Sequence, residues 1–250
     1  NTTGGHNTAI GSASLISNVT GSFNTGVGSE ALISNNASYN TAVGYRSLSA
    51  NTTGIRNTAL GSLSLHDNTT GSNNTVSGYR SLGSNTTGNS NTAHGNNSLF
   101  TNSTGNNNVA IGDSALYTNN ASELTAVGAG ALTKNTTGFL NTAIGYQSLY
   151  STTTGGYNTA TGYQSLKYNT TGYYNTTYGT YSMLFNTTGS NNTAIGRETL
   201  VYNSASNNTA VGNRSMYNNT SGNSNVAIGD SALYSNTTTS ELVAVGDDAL

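Results

Sequence analysis

A single large apolar position returns every 16 or 17 residues along the whole chain. Leucine fills it thirteen times, and the only methionines of the protein, Met183 and Met216, fill it in the other two repeats. An apolar requirement this regular predicts a side chain that points into a repeated coil rather than into one globular core. Two further fixed positions hold small residues, mostly Ala and Ser. We therefore expect a flat coil with little interior volume.

One glycine marks every repeat, and each coil is numbered here from four residues before it, so that this glycine is column five. The consensus over 17 columns is N-T-A-[IV]-G-x-x-[SA]-L-x-x-N-T-T-G-x-x. A position that excludes every other residue either requires a positive φ or has no room for a Cβ atom. We therefore assign the column-five glycine to a tight structural corner. The corner glycines are Gly11, Gly28, Gly44, Gly61, Gly78, Gly95, Gly112, Gly128, Gly145, Gly162, Gly179, Gly196, Gly212, Gly229 and Gly246.

The segments around this corner predict the rest of the coil. Columns two to four, T-A-[IV], are short and rich in β-forming residues, and they predict a strand. A second short strand is predicted at [SA]-L-x, from column eight onward. The N-T-T-G segment predicts the opposite corner, where glycine supplies a positive φ. The predicted fold is all-β: a parallel β-solenoid, or β-roll, of fifteen coils of 16–17 residues, with stacked asparagines forming amide ladders.

A longer period overlies the coil. Three coils have 16 residues instead of 17, and they recur every 84 residues. The same spacing of 84 separates Ser77 from Thr161 and His94 from Tyr178, which are the four exceptions to an aliphatic column four. Five coils thus form a super-repeat, and residues 1–250 are predicted to be a single repeat array. Because the pattern runs to both ends of the sequence, we expect a segment of a longer protein.

Column four predicts contact with other chains. It is aliphatic in eleven coils, yet His94 and Tyr178 also occupy it. A column with that mixture is expected to be half exposed, or to lie on a seam between chains. Each coil otherwise offers about one Leu, one Ala and one Ile or Val for burial, which is little against the conformational entropy of 17 ordered residues. Chains that share a column-four seam would bury more apolar surface per coil, which favours a homotrimer.

Two segments carry a resemblance to a known family. Residues 108–115, N-V-A-I-G-D-S-A, and residues 242–249, L-V-A-V-G-D-D-A, resemble the S-V-A-I-G-x-x-[SA] repeat of trimeric autotransporter adhesin heads. The N-T-A-x-G-x-x-[SA]-L repeats are also similar to those of phage tail fibres and bacterial surface fibres. The resemblance covers every coil, although the N-T-T-G segment makes the coil longer here. It implies a left-handed parallel β-roll of three chains around one axis.

The composition excludes several kinds of site and partner. Cysteine, tryptophan and proline are absent, charged residues make up 6% and the formal net charge is -2. The absence of cysteine excludes a disulfide framework and thiolate metal sites. Without a basic stripe we expect no nucleic-acid partner. No apolar run is long enough to span a bilayer, so we expect no membrane insertion in this segment.

The titratable residues form no recognisable catalytic or metal-binding pattern. His6, His66 and His94 fall in unrelated columns and give no metal-ligand spacing. Asp113 and Asp230 recur in matching coils, but one carboxylate per corner is too few for calcium. We therefore expect no catalytic residue, no metal and no cofactor. On a trimer axis, three copies of His94 would form a ring around an anion or a water molecule, which is the alternative to a polar surface position.

Tyrosines form the remaining candidate for binding. Tyr45, Tyr79, Tyr146 and Tyr163 directly follow a corner glycine. An outward row of aromatic rings stacks on sugar rings or packs against another fibre, so these four are a candidate surface-binding row for surface glycans. The alternative is that the rings only cover a thin corner.

The sequence therefore predicts a non-enzymatic structural fibre or adhesin shaft that mediates attachment. Its expected location is extracellular, on a cell surface or as a virion fibre, and its first partner is itself. Two alternatives remain open. Coils that stack end to end between subunits would give a self-assembling extracellular filament. The threonines at column two, from Thr8 to Thr92, instead favour an ice-binding β-solenoid, although Val109, Val226 and Val243 interrupt that row.

Overall fold

The computed structural model describes residues 3–250, which form two compact units, one within residues 1–124 and one of residues 125–250. Strands and turns account for all the regular structure of the described residues, which contain no helix. In both units the strands pair in parallel and in sequence order, which confirms the predicted all-β, parallel β-solenoid class. The single array over residues 1–250 stays a prediction, as do handedness and trimer formation.

Every strand has three residues and coincides with the predicted T-A-[IV] segment. In the unit within residues 1–124 the strands are β1 (Thr8–Ile10), β2 (Thr25–Val27), β3 (Thr41–Val43), β4 (Thr58–Leu60), β5 (Thr75–Ser77), β6 (Thr92–His94) and β7 (Val109–Ile111). In the unit of residues 125–250 they are β8 (Thr125–Val127), β9 (Thr142–Ile144), β10 (Thr159–Thr161), β11 (Thr176–Tyr178), β12 (Thr193–Ile195), β13 (Thr209–Val211), β14 (Val226–Ile228) and β15 (Val243–Val245).

The register of the ladder pairs identical columns in neighbouring coils. Thr142 pairs with Thr159, and across a 16-residue coil Thr25 still pairs with Thr41. A short coil therefore keeps the strand register and loses its residue in the opposite corner. Since each column lies over the same column of the next coil, a preference at one column becomes a row of like side chains along a unit.

The core of each coil is built from columns three, eight and nine. Leu149, Met183 and Met216 at column nine are fully buried, as is nearly every column-three alanine, for example Ala143. At column eight, the Ser148 hydroxyl donates to the Ala160 carbonyl oxygen at 3.0 Å and joins one coil to the next. The predicted inward direction of the leucine column is confirmed.

The predicted second strand around column nine is wrong. The segment consists of turns, because columns seven and nine have left-handed backbone conformations, with φ of 51° at both Gln147 and Leu149. Hydrogen bonds still run from coil to coil, since Leu149 N donates to Ser165 O at 3.1 Å. The backbone is thus paired without being extended, which the residue types do not reveal, as Leu has no preference for positive φ.

Both causes proposed for the column-five glycine are present at the corner. These glycines have φ between 123° and 142°, a region that L-residues rarely adopt. A Cβ atom on Gly145 would also lie 2.4 Å from the carbonyl oxygen of Gly162 in the next coil. The corner therefore combines an unusual backbone angle with direct backbone contact between coils.

The glycine of the N-T-T-G corner has a different cause from the one predicted. Gly54 and Gly71 are not among the glycines with positive φ. A Cβ atom on Gly54 would instead lie 2.2 Å from the Gly71 carbonyl oxygen and 2.5 Å from Asn51 Oδ1. The left-handed conformation falls two residues later, at Arg56 and Asn73. Close packing, not backbone angle, therefore requires glycine here.

Two columns of buried asparagines form the predicted ladders. At column twelve, Asn68 Nδ2 donates to Asn51 Oδ1 of the preceding coil at 2.8 Å. At column one, Asn57 Oδ1 accepts from the backbone N of Asn74 in the next coil at 3.0 Å. Asn57 and Asn68 both donate to the carbonyl oxygen of Gly71, at 2.8 and 2.9 Å. The two ladders therefore meet on the corner carbonyl and fix its position.

Candidate interaction surfaces

The strands present a half-exposed outer surface, the strand face, formed by columns two and four. Side chains alternate along a strand, so the column-three alanine points inward while its two neighbours point outward. Ile144 and Ile195 at column four are each 41% exposed. A row of large aliphatic side chains thus lies open along each unit. The expected half exposure of column four is confirmed.

The strand face carries no Asp, Glu, Lys or Arg in any coil. Two of its column-four residues project from it: His94 is exposed, and Tyr178 is 63% exposed between Thr161 and Ile195. The face is therefore uncharged and regular, but it is not flat throughout. Any surface that covers it must leave room for these two side chains.

The predicted tyrosine row is exposed but not continuous. Tyr45 and Tyr79 are exposed in the unit within residues 1–124, and Ser62 occupies their column in the coil between them. Tyr146 and Tyr163, in the unit of residues 125–250, stack with ring centroids 5.3 Å apart. Stacking covers the ring faces that a sugar would use, so this pair offers mainly ring edges.

Longer aromatic ladders lie at the other corners, and the repeat consensus does not show them. One contains His6, Phe23 and Tyr39, with centroids 4.9 and 5.2 Å apart. The longest lies in the unit of residues 125–250, with successive centroids 5.2–5.5 Å apart. Its rings belong to Tyr168, Phe185, Tyr202, Tyr217 and Tyr234. The recurrence of aromatic residues in consecutive coils, one or two positions after column nine, is the sequence signal for this ladder.

Ion pairs at column seven follow the super-repeat. Arg46 Nε donates to Glu30 Oε2 at 2.6 Å, and Arg214 Nε donates to Glu198 Oε2 at 2.7 Å. Both ion pairs bridge a 16-residue coil. Glu30 and Arg46 lie 168 residues, or two super-repeats, before Glu198 and Arg214. Arg197 also pairs with Glu198. The hydrogen bond from Arg214 is the main cause that holds the pKa of Glu198 below its usual range.

The predicted titratable candidates do not come together. His66 Nδ1 lies 2.5 Å from Asp67 Oδ1. Asp113 and Asp230 accept hydrogen bonds from the amides of neighbouring-coil asparagines, each at 2.8 Å. No group of three His, Cys, Asp or Glu side chains within residues 3–250 is placed to hold a metal ion. These side chains therefore act as local surface partners.

Comparison of the chain with models of protein families, with curated proteins and with solved structures gives no match. Within the described part of the chain, no helix could cross a membrane.

Proposed function

We propose that this protein is a structural fibre segment or adhesin shaft, displayed on a cell surface or a virion, that mediates attachment and has no catalytic role. The half-exposed aliphatic row of the strand face carries this proposal. Each coil fills its own interior with Leu, Ala and Asn, and it still leaves Ile144, Ile195 and their equivalents open. An apolar row of this length is typical of an interface.

The occupant we propose for the strand face is another copy of the same chain, in a homotrimer. Parallel strands repeat about every 4.8 Å, so the aliphatic side chains recur with that spacing. A second copy has the same spacing and meets the row coil by coil, whereas an irregular partner loses register after one or two coils. The absence of charge on the face removes like-charge repulsion between identical surfaces. The resemblance to trimeric adhesin heads supports three copies.

The protein has no cysteine, so a single introduced thiol reports directly on burial of the strand face. Ile195→Cys places the thiol on the face, and Ile16→Cys places it at an exposed corner position outside the face. We expect a maleimide reagent to modify residue 195 much more slowly than residue 16 in the native protein, and both equally fast in denaturant. Equal rates in the native protein would contradict the shared face.

A second candidate function follows from the threonines of the strand face. Column two holds six consecutive threonines in each unit, from Thr8 to Thr92 and from Thr125 to Thr209. A regular Thr row beside aliphatic side chains favours ice binding, whereas Tyr178 projects from that surface. Slow freezing of a protein solution separates the two functions. Enrichment in the ice, lost on Thr142→Tyr, would support ice binding, and exclusion from the ice supports the fibre.

A further inference from the structure

A groove lies beside the longest aromatic ladder, where that ladder changes column. Tyr202 stands two positions after the column-nine residue of its coil, at column eleven, whereas Tyr217 stands one position after, at column ten. The rings before the change are nearly parallel, with 10° between Phe185 and Tyr202, and so are Tyr217 and Tyr234, with 9°. Tyr202 and Tyr217 meet at 83°. The break prevents the parallel stacking that covers ring faces elsewhere.

The groove at this break is lined by aliphatic, aromatic and acidic side chains. Leu184 and Val201 are its aliphatic residues, and Val201 is buried. The ladder rings Phe185, Tyr202 and Tyr217 also line it, together with Tyr181 and Glu198. The cavity volume of the groove is about 130 Å³, which lies below the range for pockets that enclose a drug-sized ligand, so the groove takes one small ring rather than an extended ligand.

Glu198 brings a defined cluster of charges to the groove. The Glu198 side chain is only 14% exposed and accepts from Arg214 Nε at 2.7 Å. Arg197 donates to the other carboxylate oxygen. With one carboxylate and two guanidinium groups, the cluster carries a net positive charge, which disfavours a cationic ligand in this aromatic groove. Burial is the main cause that raises the pKa of Tyr217, and a hydrogen bond with Tyr202 raises it further.

We propose that this groove binds one pyranose ring of a neutral saccharide. The C–H face of a pyranose is apolar and packs on aromatic and aliphatic surface, such as Tyr202, Tyr217 and Val201. Its hydroxyl groups both donate and accept, so they can donate to the Glu198 carboxylate that lines the groove. A few polar groups among apolar and aromatic side chains are the usual composition of a small-molecule site.

This inference deepens the proposed attachment function and rests on it for its biological role, but its test is independent. The groove lies wholly within residues 125–250 and contains no residue of the strand face. Binding of a saccharide and burial of the strand face between copies can therefore succeed or fail separately.

The test is titration of the full chain with chitotriose, cellotriose and maltotriose, followed by calorimetry and by NMR of isotope-labelled tyrosine rings. We expect saturable binding of at least one trisaccharide, with shifts at Tyr202 and Tyr217. Tyr202→Ala should weaken that binding by about tenfold or more, as expected for the loss of a stacking ring. Glu198→Gln should weaken it by removing the charge-assisted acceptor while keeping its shape.

Controls separate binding from folding. Phe23→Ala removes a ring from the ladder within residues 1–124, which contains His6 and Tyr39, and it should leave affinity unchanged. Tyr202→Leu keeps apolar volume in the ladder, so a lower affinity in a variant with wild-type circular dichroism reports on the ring itself. The proposal is overturned if none of the three trisaccharides binds saturably, or if Tyr202→Leu and Glu198→Gln both bind like the wild type.

Discussion

The side-chain amide of Asn68 joins two coils and one corner: its Nδ2 donates to Asn51 Oδ1 at 2.8 Å and to the Gly71 carbonyl oxygen at 2.9 Å. Its own Oδ1 accepts from Asn85 Nδ2 of the next coil at 2.7 Å. One fully buried side chain therefore satisfies three partners. A buried polar group without a partner is costly, so each ladder asparagine stabilises its neighbours as well as itself.

Removal of this amide should destabilise the protein strongly. Asn68→Ala leaves the buried amide groups of Asn51 and Asn85 without their shared partner, and we expect a loss of about 2–4 kcal/mol in unfolding free energy. The matched control is Asn96→Ala, because Asn96 is exposed and bonds only an exposed carboxylate. Urea unfolding, monitored by circular dichroism, measures the stability of both variants. Similar small effects for the two variants would contradict a structural role of the ladder.

Repair of the ladder should stabilise the protein. Thr152 occupies the asparagine column in its coil, is fully buried and leaves its hydroxyl oxygen without a hydrogen bond within the described residues. In Thr152→Asn the new amide would reach the Gly155 carbonyl oxygen and accept from Asn169. We expect the free energy of unfolding to rise by about 1 kcal/mol, which appears as a higher melting temperature. A lower melting temperature would show that this coil has no room for the amide.

The corner glycine should not tolerate a methyl group. At Gly145, φ is 130° and a Cβ atom would meet the backbone of Gly162 at 2.4 Å, so neither partner can move away alone. We expect Gly145→Ala to lower the free energy of unfolding by about 3 kcal/mol or more. Gly5→Ala is the control, because nothing lies within 4 Å of its Cβ position. Thermal unfolding of both variants is the measurement, and a Gly145→Ala protein as stable as Gly5→Ala contradicts the account.

The Glu198 cluster should make stability depend on pH in a defined direction. Hydrogen bonds from Arg214 and Arg197 lower the folded-state pKa of this carboxyl. Its contribution is therefore complete above the usual carboxyl pKa and is lost as the pH falls through the lowered value. We expect the melting temperature of Glu198→Gln to lie below that of the wild type at pH 6. The difference should shrink as the pH falls towards 3, because the wild-type carboxyl then becomes protonated and, like the amide of the variant, uncharged. A difference that grows on acidification would contradict this assignment.

The sequence predicted those parts of the fold that depend on one column at a time. The buried Leu149, the strand Thr142–Ile144 and the asparagine ladders each follow from a residue preference repeated in every coil. The predicted strand around Leu149 was wrong because the left-handed φ of this residue is fixed by hydrogen bonds to the next coil, which no residue preference records. The groove at Tyr202 and Tyr217 depends on ring orientation, which follows from a one-residue change of column and from packing.

The mass of the particle in solution, measured by light scattering, tests the central claim of a strand face shared between copies most directly. The account predicts three chains for the wild type. The control Ile16→Lys changes a corner residue that is 66% exposed, and it should also give three chains. Ile144→Lys puts a charge on the strand face, and it should give single chains. A wild type that consists of single chains, or an Ile144→Lys protein with unchanged mass, would contradict it.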